Sequence, residues 1–469
     1  MSGPGGMVTP APATSRRNAE LGLLAFAVGL AVAAYAAGAL ALTGGLPPQL
    51  VSFSATLGGG ALVAHLAVRF LAPHADPVLL PAVTLLNGLG LAMIHRLDLG
   101  AAVRAAAAGD PAPAGQGGAQ LIWTVVGIVT FVALLAVVRD HRVLARYTWT
   151  AMVVGLVLLV APMIPGLGAT INGARLWIRL GSLSFQPAEI AKIALMVFFA
   201  GYLVTHRDVL ALAGRHVLGV DLPRARDLGP ILVAWAASLV VLILQRDLGT
   251  SLLFFGVFVV VLFVATQRLS WALLGVVLFA GGAFVASRLF GHVANRVDAW
   301  LDPFGHVNDV GGSYQLVQGL YGMASGGMLG TGIGQGRPEL VPLVSSDFIV
   351  AAIGEELGLA GLMAVLLVYA VVVERGLRTA LAARDAFGKL LAVGLAFSLA
   401  LQVFVVVGGV TRLLPLTGLT TPFLSYGGSS LLANWALVAL LIRISDAARR
   451  PVVAPGIVTP SDATEVISR

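Results

Sequence analysis

The stretch LGTSLLFFGVFVVVLFVATQ, residues 248–267, decides the class of fold. It contains no charged residue, and it is as long as the roughly 20 apolar residues that an α-helix needs to cross a bilayer. A second uncharged run, residues 269–287, follows after Arg268 alone. One such run could be a buried helix of a soluble protein, whereas two in succession favour a pair of membrane-spanning helices.

The rest of the chain has the same character. Of its 469 residues, 58% are hydrophobic and only 11% are charged, whereas about a quarter of a soluble domain is charged. We therefore predict an all-α polytopic membrane protein of about 12 transmembrane helices. The predicted spans are residues 19–42, 51–72, 77–95, 120–138, 146–165, 187–204, 229–245, 249–267, 270–289, 346–373, 387–409 and 427–445.

The distribution of basic residues predicts the orientation. The net charge of +7 comes from cations beside membrane spans, where they set topology, so it does not indicate a nucleic-acid partner. With both termini in the cytoplasm, roughly twice as many basic residues fall inside as outside, in line with the positive-inside rule. Residues 1–18 and 449–469 are then disordered cytoplasmic tails. The absence of cysteine excludes disulfides and thiolate chemistry.

This orientation places the longest polar interval, Gly291–Asp347, outside the membrane. Several arginines also face outward in the predicted topology, and guanidinium groups are suited to phosphates because they donate in pairs and keep their charge. Arg96 and Arg104 fit the simpler interpretation of solvated arginines in an Ala/Gly/Pro-rich loop. The candidates for a diphosphate site are Arg175, Arg246, Arg296 and Arg412.

Ionisable residues near the predicted spans have two interpretations. Glu189 and Lys192 are three residues apart, so they lie on one helical face. They form either a structural ion pair or part of a functional site. Asp247 either caps the helix that follows it or contacts the substrate, and Asp347 is expected to be an N-cap. The adjacent carboxylates Glu355 and Glu356 either hold helices together or face an aqueous cavity.

Two further segments are irregular in sequence. The stretch from Arg412 to Ser430 contains two prolines and many hydroxyls, which indicates a re-entrant or broken helix that lines a cavity. In the long interval, Asp302-Pro303 and Asn308-Asp309 read as turns, and a short helix is expected near Gly312–Gln318. Gly327–Gly336 is a weak candidate for a phosphate cradle.

Together these segments resemble the shape, elongation, division and sporulation family of bacterial cell-wall polymerases, typified by RodA and FtsW, and are most similar to the RodA type of actinobacteria. The likeness runs from about residue 140 to 448. The matching motifs are Asn172-Gly173-Ala174, Trp177-Ile178, Gln186-Pro187, Asp247-Leu248-Gly249-Thr250-Ser251, Gly312 to Gln318, Ser346-Asp347-Phe348-Ile349, Gly354-Glu355-Glu356, Pro415-Leu416-Thr417-Gly418 and Pro422 to Ser429.

The resemblance implies a fold and a reaction. The family core has about ten spans, so residues 19–138 would include two extra helices, and residues 139–448 would form the core with an extracellular loop at 291–345. The family polymerises lipid II into glycan strands on the outer membrane face, releases undecaprenyl diphosphate for cell elongation and shape, and works with a class B penicillin-binding protein. Two departures are Ala188 in place of the family's usual serine and Arg246 in place of a proline.

The resemblance also implies functional residues. A loop aspartate is expected to act as the catalytic base, and two alignments place it at Asp309 or at Asp302. Substrate contacts are expected from the four arginines above and from Lys192, Glu189, Gln315, Gln318 and Ser425. Structural or cavity-lining roles are expected for Asp247, Asp347, Glu355, Glu356 and Pro422.

The expected chemistry is the attack of a sugar hydroxyl on an anomeric carbon, with a carboxylate removing the proton and inversion at that carbon. Negative charge on the departing diphosphate needs arginines or a divalent cation such as Mg²⁺ or Mn²⁺. Two alternatives stay open: a flippase or transporter of the lipid-linked precursor, and a non-catalytic scaffold for the penicillin-binding protein.

Overall fold

The computed structural model of the chain describes residues 13–171, 174–180, 183–210, 213–217, 220–223, 247–307 and 313–451, with residues 229, 232–233, 236–237, 240 and 245 between them. Fourteen α-helices are bounded within this part of the chain. They are α1 (Ala13–Thr43), α2 (Leu50–Leu71), α3 (Leu79–Ala108), α4 (Gly117–Val137), α5 (Thr148–Val160), α6 (Pro187–Leu210), α7 (Leu248–Thr266), α8 (Leu269–Leu289), α9 (Gly291–Leu301), α10 (Tyr314–Gly326), α11 (Ile349–Glu356), α12 (Gly358–Ala382), α13 (Ala386–Val410) and α14 (Gly428–Arg449).

Eleven helices in the described residues are long and apolar enough to cross a membrane. They are the helices α1 to α8 and α12 to α14. The fifth span includes the 3₁₀ turns on either side of α5. Each corresponds to a predicted span, so the prediction of a polytopic helical membrane protein is confirmed. The remaining predicted span, residues 229–245, lies mostly outside the described residues.

The predicted span 346–373 is two helices instead of one. Helix α11 ends at Glu356 and α12 begins at Gly358, whose φ of +67° breaks the helical path. A Cβ atom at Gly358 would lie 2.2 Å from the backbone nitrogen of Gly330, so the glycine-rich segment crosses the chain at this point. The prediction missed the break because membrane helices tolerate glycine, so Gly354, Gly358 and Gly361 do not by themselves mark where a helix ends.

Two predicted boundaries were wrong. Helix α3 continues past residue 95 to Ala108, so Arg96 is helical, and it is 2% exposed. Helix α1 begins at Ala13, within the tail predicted to be disordered, and Arg17 is buried there. Arg96 bonds Glu339 and Glu356, which are more than two hundred residues away, whereas Arg17 bonds nearby Glu20 and the carbonyl of Ala75.

Short antiparallel strands interrupt the helical pattern. Strands β1 (Gly168–Ile171), β2 (Ala174–Leu180) and β3 (Leu183–Phe185) form one sheet between α5 and α6, in which Gly168 pairs with Ile178 and Ile178 with Phe185. Strands β4 (Ala213–Val217) and β5 (Val220–Pro223) form a hairpin after α6. These strands were not predicted, because the long apolar helices dominate the sequence pattern.

The helices α3, α13 and α14 are the most buried of the described membrane spans. Trp435 of α14 is 1% exposed and makes edge-on contacts with Phe131 and Phe423. Close approach is possible because Gly90 lies against the backbone of Leu424 and Gly127 lies against the Trp435 ring. This packing holds the irregular segment between α13 and α14 at one end of the bundle.

Candidate functional site

A polar cavity of about 380 Å³ opens at this end of the bundle. Four parts of the chain contribute to its walls: α9, the start of α10, the residues just before α11, and the end of α13 with the segment that follows it. The polar side chains that line it are Arg296, Trp300, Gln315, Asp347 and Thr417.

Arg296 is held firmly inside the cavity wall. Helix α9 carries it, and its Nη1 donates to the carbonyl oxygens of Leu416 and Thr417 at 3.0 and 2.9 Å. Its guanidinium also interacts electrostatically with Asp247 and Asp347, although burial lowers its pKa below the usual value for arginine. Because these hydrogen bonds hold the guanidinium in place, it is preorganised to meet an incoming anion.

Asp247 is the N-cap residue of α7. Its Oδ1 accepts from the backbone N–H of Thr250 at 2.9 Å, and its Oδ2 accepts from the Thr250 hydroxyl at 2.6 Å. The predicted capping role is therefore present. Burial raises the pKa of this carboxyl, against the lowering effect of the Thr250 hydrogen bonds and Arg296.

Asp347 does not cap a helix, and that prediction was wrong. Helix α11 begins at Ile349, and its N-cap residue is Phe348 without a side-chain hydrogen bond. Asp347 lies one residue earlier and faces the cavity beside Arg296. A Cβ atom at Gly418 would lie 3.9 Å from Arg296 Nη2 and 4.0 Å from Asp347 Oδ2, so glycine leaves this space open. Burial is the largest influence on the carboxyl and raises its pKa.

Arg412 joins the end of α9 to the cavity wall. Its Nε donates to the carbonyl of Trp300 at 3.0 Å and its Nη2 to that of Leu301 at 2.7 Å, while the Trp300 indole donates back to the Arg412 carbonyl at 3.1 Å. The side chain is exposed. In this arrangement Arg412 positions α9 and its Arg296.

A chain of buried polar side chains continues inward from the cavity wall. Lys192 donates to Glu189 and to Gln402, both at 2.9 Å, and Gln402 donates to the Thr420 carbonyl at 2.9 Å. Lys192 and Gln402 are 2% and 1% exposed. The pair predicted by spacing therefore forms, and it supports the irregular segment between α13 and α14.

That segment forms no helix beyond a single α-turn, in which the Ser425 N–H donates to the Thr421 carbonyl at 3.0 Å, so the predicted re-entrant or broken helix was wrong. Pro415 and Pro422 lack a backbone N–H, and Arg412, Gly418 and Phe423 have φ values of +62°, +75° and +65°. Side chains satisfy its backbone instead. Ser425 Oγ accepts from the Thr421 N–H at 2.8 Å and donates to the Ser346 carbonyl, and Gln120 donates to the Ser425 carbonyl at 3.1 Å. The carbonyl of buried Pro422 accepts the Tyr369 hydroxyl.

Of the two candidate bases, Asp302 lies in the described part of the chain. Asp309 lies outside the described residues, and so does Arg246. Asp302 is exposed just beyond α9, where its Oδ1 accepts from the Gly305 N–H at 3.0 Å, as the predicted turn requires. It does not line the cavity, but it follows Arg296 by six residues, which is roughly 9 Å along a helix.

The other predicted contacts are divided between the cavity and its surroundings. Gln315 lines the cavity and donates to the Pro342 carbonyl at 2.6 Å. Gln318 is half-buried on α10, one helical turn further along. Arg175 is half-buried on β2 and donates to the Ile164 carbonyl at 3.3 Å, apart from the residues that line the cavity.

Glu355 and Glu356 have structural partners. Glu355 accepts from the Arg337 N–H at 2.6 Å, and Glu356 accepts from Arg96, which also contacts Glu339 at 2.9 Å. The amides of Gly330 and Gly332 donate to the carbonyls of Gly326 and Glu356. These amides are therefore not available to cradle a phosphate.

Sequence reasoning missed the contributions of Arg96, Trp300 and Gln402. Arg96 was assigned to a loop, and Gln402 is one polar residue inside a long apolar run, which is itself the signal that could have found it. Trp300 gave no signal, because its role depends on a hydrogen bond to a residue more than a hundred positions away.

The described residues contain no group of three or more His, Cys, Asp or Glu side chains that could hold a metal ion. Asp347 is the one carboxylate among the described residues that line the cavity, and the positive charge of Arg296 in the same lining disfavours a resident cation. These residues therefore do not fit a resident metal centre, and no catalytic step is assigned to one.

A second cavity, of about 450 Å³, lies within the bundle. It is lined almost entirely by apolar side chains of α5, α6 and α7, together with residues 229, 233 and 237. Representative lining residues are Trp149, Phe199 and Phe258.

Comparisons with known proteins agree with this architecture. The family model of cell cycle proteins of the FtsW, RodA and SpoVE type matches residues 77–450. The peptidoglycan glycosyltransferase RodA of Mycobacterium tuberculosis is 51% identical over 469 residues, covering 98% of both chains. Stage V sporulation protein E of Bacillus subtilis is 33% identical over 332 residues, covering 70% of this chain and 86% of the relative.

Two solved structures share the fold. A chain from a study of how a peptidoglycan synthase complex coordinates polymerization and crosslinking aligns with a TM-score of 0.62 and 28% identity, covering 80% of this chain and 99% of that one. The crystal structure of the rod shape determining protein RodA of Thermus thermophilus aligns with a TM-score of 0.55 and 26% identity, covering 82% and 100%. The protein described here belongs to the FtsW, RodA and SpoVE family.

Proposed function

We propose that this chain is a peptidoglycan glycosyltransferase that polymerises lipid II into glycan strands at the outer face of the cytoplasmic membrane, for cell elongation and shape. The activity is the one named for relatives that are 51% identical over nearly the whole chain. The observation that carries the proposal is the fixed position of Arg296 in a polar cavity at one end of the bundle, where Asp347 lines the same cavity.

The cavity suits a diphosphate leaving group. Nη1 of Arg296 is occupied by two carbonyls, while its Nη2 lies toward the open space at Gly418. Negative charge that builds on the bridging oxygen during bond cleavage would be stabilised there without reorganisation of the protein. The undecaprenyl diphosphate product would then leave through the membrane.

The apolar cavity suits the lipid chain of the substrate. It lies between helices that cross the membrane, and aromatic and branched side chains line it. A polyprenyl chain held there would be shielded from water, and the hydrophobic effect would favour its burial. The headgroup of such a lipid could extend toward the polar end of the bundle.

The loop aspartates would activate the incoming sugar. A carboxylate of Asp309 or Asp302 removes the proton from the 4-hydroxyl, and the resulting oxygen attacks the anomeric carbon of the second sugar. The bond from that carbon to the diphosphate breaks, and its electron pair leaves with the diphosphate. A single displacement inverts the anomeric centre. A requirement for Mg²⁺ or Mn²⁺ stays a prediction, with the cation arriving on the diphosphate.

A class B penicillin-binding protein is the proposed partner. Support comes from the similar chain that was studied in a peptidoglycan synthase complex combining polymerization and crosslinking. A polymerase of this kind makes uncrosslinked strands, so a transpeptidase must act on its product.

The decisive experiment uses purified protein, the partner and lipid II, and it compares the native chain with Asp309→Ala, Asp302→Ala and the double variant. We expect glycan strands from the native chain and none from the double variant, and the single variant that abolishes polymer identifies the base. Polymer formed by the double variant would refute base catalysis by this loop. Movement of lipid II across vesicle membranes without polymer would favour a transporter, and neither activity would favour a scaffold.

A further inference from the structure

A buried ionic cluster lies beside the site, at the junction of α3, α11 and the glycine-rich segment. Arg96 of α3 donates Nε to Glu356, Nη1 to Glu339 at 2.9 Å, and Nη2 to the Gly336 carbonyl at 2.7 Å. The side chains of Arg96 and Glu356 are 2% and 0% exposed. We call Arg96, Glu339 and Glu356 the arginine clamp.

The clamp fixes the end of α11 that is remote from the cavity. The N–H groups of Thr331 and Gly332 donate to the carbonyls of Glu355 and Glu356 at 2.9 and 3.0 Å, so the glycine-rich segment and the end of α11 form one unit. Nine residues earlier, Asp347 faces the cavity just before α11 begins. Because a short helix moves as a rigid piece, a shift of Glu356 would be transmitted to Asp347.

Helix α1 covers the clamp from outside the family core. The family match begins at residue 77, after α1 and α2. A Cβ atom at Gly38 would lie 3.3 Å from the Arg96 Cβ and 3.6 Å from Ile333. Gly334 packs equally closely, since a Cβ there would lie 2.7 Å from the Ala41 Cβ and 3.2 Å from the Gly38 carbonyl.

Stacked aromatic rings fix the position of α1 along α3. The ring centroid of Tyr35 lies 4.0 Å from that of Phe53 in α2 and 4.1 Å from that of His95, the residue before Arg96. The rings are nearly parallel in both pairs. Tyr35 and Phe53 are 6% and 3% exposed. The contact between α1 and the clamp is therefore specific in register.

We propose that α1 is a positioning element for the catalytic site: its Gly38 surface holds the Arg96 side chain against Glu339 and Glu356, and through α11 it sets the position of Asp347 beside Arg296. The proposal rests on the function proposed above for that cavity. It assigns a role to a helix that the family core lacks.

The test is a series of side chains at residue 38 in the full-length protein, assayed for lipid II polymerisation with the partner. Gly38→Ala needs the Arg96 stem to move by only a few tenths of an ångström, whereas Gly38→Leu must displace it. Gly29→Leu is the matched control, because Gly29 lies on the same helix and nothing lies within 4 Å of its Cβ position. We expect Gly38→Leu to lower kcat on the order of 10-fold to 100-fold with little change in KM, Gly38→Ala to lower it less, and Gly29→Leu to match the native chain.

A double-mutant cycle with Glu339→Gln separates positioning from general damage to the fold. Glu339 is the more exposed acid of the clamp, at 13%, so this substitution is the milder way to weaken it. If α1 acts through the clamp, the combined loss in kcat is smaller than the product of the two single losses. The proposal is overturned if the loss in kcat of the double variant equals the product of the two single losses. It is also overturned if Gly38→Leu and Gly29→Leu have equal kcat. A native chain without polymerase activity would instead refute the proposed function.

Discussion

At the scale of single residues, Arg296 holds the cavity together. It bonds two carbonyls of the segment between α13 and α14 and interacts with two acids from other parts of the chain. This role depends on the planar guanidinium, whose donors lie on separate nitrogens, whereas lysine has one ammonium nitrogen. Arg412 acts one step away, because it fastens the end of α9 to the same wall.

Replacement of Arg296 by lysine is expected to lower kcat for polymerisation on the order of 100-fold, because lysine has a single terminal nitrogen, which cannot occupy both the Nη1 position at the two carbonyls and the Nη2 position toward the cavity. Steady-state rates with lipid II measure the effect. Arg104→Lys is the control, since exposed Arg104 makes a single hydrogen bond to the Glu339 carbonyl. An Arg296→Lys variant that retains native kcat would show that the guanidinium is not needed.

Asp347 should make stability depend on pH. Burial raises the pKa of its carboxyl in the folded state, so the folded protein binds more protons than the unfolded chain between the ordinary carboxyl pKa and the raised one. The free energy of unfolding contributed by this group then falls as pH rises through that window and is fully present below it. Thermal unfolding from pH 4 to 7 should show a weaker fall for Asp347→Asn than for the native chain. Parallel pH profiles would contradict this.

At the scale of elements, the break between α11 and α12 shapes the site. It ends α11 at the arginine clamp and lets the glycine-rich segment cross at Gly358. A continuous span would have carried Glu355 and Glu356 into the membrane without these partners. Two glycines with positive φ meet at the crossing, Gly330 at +85° and Gly358 at +67°.

We expect Gly358→Ala to destabilise the protein far more than Gly109→Ala. Both glycines have a positive φ, which costs alanine about 1–2 kcal/mol. Only at Gly358 would the added Cβ also meet backbone, at 2.2 Å from the Gly330 nitrogen, whereas nothing lies within 4 Å at Gly109. Thermal unfolding of the two variants in the same detergent measures the difference. Equal losses would show that the crossing is not closely packed.

At the scale of the whole molecule, charged groups collect at both ends of the bundle. The end opposite the cavity has its own buried network, in which Asp76 bonds Arg449 at 2.5 Å and Arg17 bonds Glu20 at 2.5 Å. His65 of α2 also bonds Glu20, at 2.7 Å. The network joins the first two helices to each other, and its Asp76 joins the loop after α2 to the last helix.

The orientation of the two ends can be tested directly, because the chain has no native cysteine. Ser325 is exposed near the cavity end, and Arg139 is exposed in the loop between α4 and α5. We expect a membrane-impermeant maleimide to label Ser325→Cys in cells whose cytoplasmic membrane is intact, and Arg139→Cys only after permeabilisation. The reverse pattern would place the site in the cytoplasm and end the proposed function.

The sequence alone determined that this protein is a bundle of membrane helices, and it indicated the family and most of the polar segments of the site. These features depend on local apolar length, helical spacing and short motifs, which need no knowledge of contacts. The tertiary structure alone decided that Asp347 faces Arg296 instead of capping α11, that Arg96 is buried in a clamp, and that the segment after α13 is irregular. Each of these depends on a partner tens to hundreds of residues away, and in a buried site that partner determines whether a charge can be tolerated.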